Sequence, residues 1–531
     1  MFRVFTLIII FLFVNAEKYT YASNSSKQLG SIDFSTSVSG TAQKHFLHGV
    51  AALHSFWYTE ALSAFKKSIS VNPRFAMGYW GLAMAHNHPL WEEQDYESAK
   101  TALSKIDNIS KLTQREQDYI HAIRLLYGNR EKHDRDKAYA KAMKKIYHDY
   151  PNDLEAACFY SLSILGVARN TVNKLRLQVE AGSIALEVFQ KNPNHPCAAH
   201  YSIHAFDNPD LARLALPSAK RYAKIAPASH HAQHMSAHIF VQLGMWADAV
   251  DSNTNGWKTS VDWVEKKNLP LSNRDYHSLQ WLHYSLLQQG LIDQAMSIFS
   301  IQQKDMAEGI KTRSNLRAGK YYYRMLAASL IETENWEVID KFSPPDGWEP
   351  KSFSEAGYLF ARGFSAAMQG KIEEANKHLL EIKTIRKQDF KKNYYKRIEY
   401  LNVWELEIQT AIKLYQKDFE TAIKLAKQAI LLEENLPSPS GPPRILKPSY
   451  ELLGEVYLKA DKPIQAQENF SISLLRHRNR IRSLVGMARA SNANGNRETA
   501  IESYQQLVLQ LKNANAELPE LKEARSFLEE K

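Results

Sequence analysis

Cysteine is nearly absent from this sequence: Cys158 and Cys197 are the only two among 531 residues. Two cysteines cannot make a disulfide-stabilised scaffold, so the fold must depend on a hydrophobic core. Both lie in predicted helices, where a buried thiol and a disulfide bridge are both open, and Cys197 is also a candidate metal ligand. Glycine and proline, with 21 and 19 residues, are too few for a collagen-like or largely disordered chain.

The signatures of several enzyme classes are also missing. The sequence has no GxSxG elbow, no phosphate-binding loop, no dinucleotide fingerprint, and no HExxH or CxxC pair. Nucleophilic catalysis by cysteine would require one of the two cysteines to be activated by a histidine. The sequence therefore identifies no reaction.

Positive charge exceeds negative charge, but it is not concentrated. The 67 lysines and arginines against 57 acidic residues give a net charge of +10. The basic residues are scattered and form only short runs, such as Lys391-Lys392. No helix is basic enough to predict binding to nucleic acid. The excess favours anionic partners only weakly.

The N-terminus has the pattern of a secretory signal peptide. Arg3 precedes an apolar run over residues 4–14, which is too short for an ordinary transmembrane helix, and Val14-Asn15-Ala16 resembles a cleavage site. We predict a signal peptide over residues 1–16, a flexible leader over residues 17–40, and a periplasmic or secreted mature chain without a membrane span. The alternative is an uncleaved membrane anchor.

Small and aromatic residues recur with the period of a tetratricopeptide repeat (TPR). Gly49, Ala61, Phe65 and Pro73 fit the small, small, aromatic and terminating positions, and Ala466 and Ala500 are 34 residues apart. With few strand signals, this predicts an all-α, right-handed superhelical solenoid of about eleven TPR-like helix pairs. The predicted parts are an N-terminal array (41–267), a central array (268–436), a proline-rich loop (437–448) that either covers the groove or bridges two repeats, and C-terminal repeats with a capping helix (449–531).

Two histidine pairs stand one repeat apart. His200 and His204 are separated by four residues, as are His234 and His238, and the second pair follows the first by 34 residues. Residues four apart share a helix face, so the pairs should occupy equivalent positions on neighbouring helices. Imidazole is a common metal ligand, and four such nitrogens would suit zinc, copper, iron or nickel. The alternative is that these histidines pack between helices or contact an organic ligand.

Other side chains could join this site. Asp207, His231 and His277 are candidates for a further ligand or for orienting one. His54, His88 and Glu60, from the first repeats, could approach the same groove or pack locally.

Several stretches outside the general repeat consensus resemble a family of exported bacterial TPR proteins. They are AMAHNHPLW, HPCAAHYSIHAFDNP, HAQHMSAHIFVQLGMW and GPPRILKPSYELLGEVYL. Ser236 stands where that family pattern has proline. The resemblance implies the fold and export, and it implies no particular activity.

These observations lead to a primary hypothesis and two alternatives. The first is an exported TPR scaffold that binds a protein or peptide partner on its concave surface, with a histidine-lined site for a transition metal. The second is a metal-dependent enzyme of unknown reaction, with Asp207 or Glu60 as acid or base. The third is a structural adaptor without small-molecule chemistry.

Overall fold

The structure is a computed structural model that describes residues 28–169, 171, 173–311, 316–336 and 353–530. The predicted signal peptide, and the predicted leader up to residue 27, lie outside these residues. Within the described ranges there are 24 α-helices and one pair of two-residue strands. No helix in these ranges combines the length and apolarity needed to cross a membrane.

The chain divides into two compact units. The first comprises the described residues up to Asp207 together with Leu211–Ile239. Its elements are α1 (Gly40–His54), α2 (Tyr58–Val71), α3 (Ala76–Ala85), β1 (Asn87–His88) antiparallel to β2 (Glu93–Gln94), α4 (Tyr96–Leu103), α5 (Gln114–Leu126), α6 (Lys132–Asp149), α7 (Leu154–Ala168), α8 (Lys174–Lys191), α9 (Pro196–Phe206), α10 (Ala212–Ile225) and most of α11 (His230–Gln242).

The second unit contains residues 208–210 and the chain from Phe240 onward. Its elements are α12 (Trp246–Lys266), a 3-10 turn (Leu271–Asn273), α13 (Tyr276–Leu287), α14 (Ile292–Lys311), α15 (Leu316–Thr333), α16 (Phe353–Met368), α17 (Ile372–Lys391), α18 (Tyr395–Tyr415), α19 (Phe419–Glu434), α20 (Ser449–Lys459), α21 (Pro463–Arg476), α22 (Ile481–Ala493), α23 (Arg497–Gln510) and α24 (Pro519–Glu529).

Consecutive helices pack together through the small residues that the repeat pattern predicts. The Phe65 ring fits between Gly49 and Gly81, each 16 residues away in the sequence, and a β-carbon on either glycine would overlap the ring. Phe470 packs in the same way between Gly454 and Gly486. The buried aromatic ring thus fills the space that two glycines leave. The predicted all-α fold of TPR-like helix pairs is confirmed in the described residues.

Residues 28–39, which we predicted as part of a flexible leader, belong to the first unit and pack against its helices. Phe34 is fully buried, with its ring 5.3 Å from that of Phe46 and 5.5 Å from that of Trp80. The backbone N–H of Ser37 donates a hydrogen bond to the buried Glu116 carboxylate at 2.9 Å. The buried Phe34 and Leu29 side chains and this hydrogen bond therefore hold the segment in place.

The proline-rich loop does more than bridge α19 and α20. Gly441 lies so close to the Trp281 indole that a β-carbon there would overlap it, and Gln242 Nε2 donates to the Pro439 carbonyl oxygen at 2.6 Å. Lys447 is buried, with its ammonium 3.2 Å from Glu451. The loop is thus packed into the second unit.

Arg480 organises a buried polar network in the second unit. Its guanidinium donates to Glu451 at 2.7 Å, to Glu332 at 2.5 Å, to the Tyr284 hydroxyl at 2.9 Å and to the Leu446 carbonyl oxygen at 3.0 Å. The arginine side chain is fully buried. Its partners come from repeats far apart in the sequence, so the second unit is held together by more than contacts between sequential neighbours.

Candidate metal centre

Two helices of the first unit supply the central histidines. Pro196 occupies the first turn of α9, where its fixed backbone angle and missing N–H are tolerated. His200 and His204 follow on one face of this helix. His231, His234 and His238 lie along α11 at spacings of three and four residues, which also share a helix face.

Three of these imidazoles converge on one point. His200 Nε2 lies 3.0 Å from His204 Nε2 and 3.1 Å from His231 Nε2. One donor atom from each of the three residues falls within 4.8 Å of the other two. His200 is fully buried, and the other two are partly buried. We call His200, His204 and His231 the histidine trio.

The spacing in the trio suits a shared cation. Two nitrogens bound to one ion at about 2.0–2.1 Å, with tetrahedral to octahedral angles, are separated by about 2.9–3.4 Å. Both short nitrogen–nitrogen distances in the trio lie inside that interval. Hydrogen bonds between neutral imidazoles have similar lengths, so the spacing fits both arrangements.

The tautomer of His200 is set by a hydrogen bond at Nδ1, the ring nitrogen that does not face the other two histidines. Its Nδ1 lies 2.6 Å from the backbone carbonyl oxygen of His54. A carbonyl can only accept, so Nδ1 carries the proton and the Nε2 lone pair faces the other two rings. A backbone acceptor behind a histidine is a common way to orient a metal ligand.

A second pair lies beside the trio. His234 Nε2 is 3.2 Å from His238 Nε2, and His238 Nδ1 is 2.6 Å from the Asp207 carboxylate. The His204 and His238 rings are 6.0 Å apart between centroids. Asp207 thus does for His238 what the His54 carbonyl does for His200, which leaves the Nε2 lone pair of His238 directed at His234.

Burial keeps the trio unprotonated at neutral pH. Burial lowers the pKa of His200 to about 3 and lowers the pKa values of His204 and His231 well below the ordinary value of a histidine. The neighbouring imidazoles add to the effect because two positive charges would repel each other. Lone pairs are therefore available for coordination at neutral pH.

Aromatic rings cover one side of the trio. Phe56 has a left-handed backbone, with φ of 52°, and its ring stacks on His204 at 5.5 Å and on His231 at 5.9 Å. Trp91 lies 5.5 Å from Phe56 and keeps 48% of its surface exposed. The trio is thus screened from solvent by rings, and one of them reaches the surface.

A buried acid and two further histidines lie behind the trio. Glu155 contacts His54 Nε2 at 2.6 Å and His195 Nε2 at 3.1 Å, and all three side chains are fully buried. The Tyr201 hydroxyl lies 2.9 Å from His54 Nδ1. This network fixes α1, α7 and α9 relative to one another at the point where the His54 carbonyl meets His200.

The two cysteines form a disulfide between α7 and α9. Cys158 Sγ lies 3.7 Å from His195 Nδ1. The bridge ties the helix that carries Glu155 to the helix that carries His200 and His204. With both sulfurs in the bridge, Cys197 is not available as a metal ligand in this state.

The remaining candidates from the sequence are placed as follows. His54 reaches the trio through its backbone oxygen, whereas its ring belongs to the Glu155 network. His88 stacks on Tyr58 with a centroid distance of 3.8 Å, and Glu60 lies 3.0 Å from His48 Nε2. His277 belongs to the second unit, where its ring is 5.2 Å from that of Trp281.

Glu155, His195, Tyr201 and Phe56 were not among the predicted site residues. A signal for Glu155 existed: it is the only ionisable carboxylate in the apolar helix LEAACFYSLSILGVA. A charge in such a helix requires a buried partner. Nothing in the sequence indicates that a partner for Glu155 is His54, which lies 101 residues earlier in the chain.

Comparisons with known proteins identify no family. No family model matches the chain, and no curated protein matches it. Similar solved structures include the Cut9–Hcn1 hetero-tetramer of the APC/C, with 14% identity and a TM-score of 0.31 over 97% of this chain and 82% of that one. The TPR domain of P58(IPK) has 12% identity and a TM-score of 0.22 over 92% and 98% of the two chains. A monomeric IFIT1 mutant with m7Gppp-AAAA has 12% identity and a TM-score of 0.32 over 92% and 99%. These scores are too low for any of the three to inform the function of this chain.

Proposed function

We propose that this protein is a helical-repeat scaffold whose first unit binds a transition-metal ion at the histidine trio. The observation that supports this most directly is the convergence of three Nε2 atoms at 3.0–3.1 Å around His200. The proposal keeps His200 and His204 from the predicted four-histidine site and adds His231. His234 and His238 lie beside this ion.

The donor set narrows the choice of metal. Three neutral imidazoles suit zinc, copper, iron and nickel, whereas calcium and magnesium prefer oxygen ligands. Three protein ligands also leave coordination positions for water or a small ligand. We therefore expect measurable affinity for Zn²⁺ and Cu²⁺ and little for Mg²⁺.

Repeat stacks of this class present extended surfaces for other proteins. We extend the proposal to a protein or peptide partner, in keeping with the repeat fold. Export to the periplasm or the medium remains part of the proposal and rests on the N-terminal sequence.

The metal proposal is tested by elemental analysis of the full chain, purified without a histidine tag. The parent should retain near-stoichiometric metal, and a His200→Ala/His204→Ala/His231→Ala variant should lose it. A His121→Ala/His148→Ala variant is a matched control because both of its histidines are exposed. Circular dichroism monitors the fold. A parent that takes up no zinc, copper, iron or nickel after incubation with the salts would refute the proposal.

A second candidate function is metal-dependent catalysis. The observation that favours it is the number of ligands, because catalytic zinc sites commonly have three protein ligands and one open position. Hydrolytic and oxidative activity of the metal-loaded protein would support this candidate if the trio variant lost it while keeping its fold. Retention of partner binding by that variant would separate the scaffold role from the metal.

A further inference from the structure

We infer that the first unit binds a second metal ion at His234 and His238, which makes the site a two-metal centre. This inference rests on the proposed function, because the second ion would lie next to the one held by the trio. It concerns the number of ions and the kind of ligand that the centre accepts.

The geometry of this pair matches that of the trio. The two Nε2 atoms are 3.2 Å apart, which is within the separation of about 2.9–3.4 Å expected for ligands of one ion. The Asp207 carboxylate, 2.6 Å from His238 Nδ1, fixes the proton on that nitrogen. A carboxylate behind a histidine is a recurrent arrangement at zinc sites, where it orients the ring and raises its basicity.

The short contacts separate the five histidines into two sets. Within the trio, every short nitrogen–nitrogen contact involves His200, and His234 and His238 contact each other. Between the two sets, the ring centroids of His204 and His238 are 6.0 Å apart. For one ion to bind all five imidazoles at about 2.0–2.1 Å, the rings of the two sets would have to move towards each other.

Adjacent sets of this kind suit two ions that share a ligand. Metal ions in two-metal sites lie about 3.5–4 Å apart and are commonly bridged by an oxygen atom. The three imidazoles of the trio leave coordination positions open at its ion. We therefore expect the centre to take an oxygen-donor ligand, such as hydroxide or a small oxyanion, between the ions.

The test is a titration of the metal-free full chain with Cu²⁺, with bound copper measured after removal of excess ion and with electron paramagnetic resonance (EPR) of the product. The parent should bind two ions. The trio variant and a His234→Ala/His238→Ala variant should each bind one, and the variant lacking all five histidines should bind none. The His121→Ala/His148→Ala control should bind two.

The EPR spectrum provides a readout on the unmodified protein. Two bridged Cu²⁺ ions couple magnetically, so the parent should show fewer unpaired spins than bound ions. Each half-site variant should show one spin for each bound ion. This measurement keeps the inference testable even if a variant misfolds.

Three outcomes separate this inference from the proposed function. One ion in the parent that the His234→Ala/His238→Ala variant retains would leave the trio site intact and overturn the second site. One ion that either variant loses would indicate a single shared site and would also overturn it. No bound ion in the parent would refute the proposed function itself.

Discussion

Two histidines of the candidate metal centre, His200 and His238, are oriented by a hydrogen bond at Nδ1. A backbone oxygen accepts this bond from His200, and the Asp207 carboxylate accepts it from His238. The first contact survives any side-chain substitution at residue 54. The second contact depends on the Asp207 carboxylate, whose negative charge can be removed by a substitution that keeps the size of the side chain.

Asp207→Asn should therefore weaken the second metal site selectively. The amide keeps the size of the side chain but removes the negative charge, and loss of such a partner typically costs 10–100-fold in metal affinity. We expect this loss at one of the two ions only, measured by competition with a chelator of known affinity. Asp210→Asn, at an exposed carboxylate three residues away, serves as the control. Equal weakening of both ions would contradict the selective effect assigned to Asp207.

Glu155 should make the first unit sensitive to acid. Burial raises the pKa of this carboxyl, but the charges and hydrogen bonds of His54 and His195 outweigh it and lower the pKa to about 2. The native state therefore holds this proton less tightly than the unfolded chain, whose glutamate pKa is about 4.3. The resulting stabilisation is complete above pH of about 4.3 and is lost as the pH falls towards 2.

Glu155→Gln should lower the free energy of unfolding at pH 6 by about 3–5 kcal/mol, because the substitution removes a buried negative charge and replaces one of the two accepting oxygens with an NH2 donor. The difference from the parent should shrink as the pH falls to 2. Denaturant unfolding across this pH range measures both quantities. Glu97→Gln, at an exposed glutamate of α4, should show neither effect. A difference that does not vary with pH would indicate a packing role instead.

Sequence reasoning identified several residues of the candidate site but not all of the contacts that orient them. The helical period placed His200 with His204 and His234 with His238, and His231 was available as an added candidate. The His54 carbonyl could not be predicted, because a backbone oxygen leaves no trace in residue type and the contact spans 146 residues.

The helices depend on glycines that leave room for an aromatic ring. Gly81→Ala should destabilise the first unit by about 1–3 kcal/mol, because the new β-carbon would overlap the Phe65 ring. Gly357→Ala in α16 is a matched control, since its β-carbon would meet Trp404 only at 3.6 Å. This control should be neutral or stabilising, as alanine favours a helix over glycine by about 1 kcal/mol. Thermal unfolding of both variants tests the contrast, and equal effects would show that the close contact is unimportant.

Periodicity predicted the helices better than the segments that join them. The leader and the proline-rich loop lack a period, so composition alone predicted a flexible leader and left the loop either as a cover of the groove or as a bridge between two repeats. In the structure, Phe34 and Gly441 each make a close contact with a tryptophan far away in sequence. Such contacts follow from the packed structure and are not encoded in any local pattern.

Within each unit, some contacts join repeats that are not sequential neighbours. In a simple repeat stack each repeat contacts only its neighbours. Here Arg480 reaches Tyr284, which is 196 residues away, and the trio depends on a helix from the start of the first unit. Sequence reasoning could predict the repeats but not these two long-range contacts, because the residues that they join share no motif.

Arg480→Ala should therefore destabilise the second unit strongly. The change leaves Glu332 buried without the Arg480 cation and leaves Glu451 with Lys447 alone, and breaking a buried ion pair in this way costs about 3–5 kcal/mol. Hydrogen exchange read by mass spectrometry should show faster exchange in α13, α20 and α22. Arg489→Ala, which removes a largely exposed pair with Glu523, should cost at most about 1 kcal/mol. Unchanged exchange in those three helices would contradict the role assigned to Arg480.

The long reach of the His200–His54 contact also sets an order of events during chain synthesis. The carbonyl that orients His200 is made about 146 residues before the ring it holds, and His231 follows later still. Contacts of such high sequence separation form late in folding, because loop closure must come first. A nascent chain that ends before α11 has no complete trio, so the proposed metal ion could bind only after the first unit has been synthesised as far as α11 and has folded.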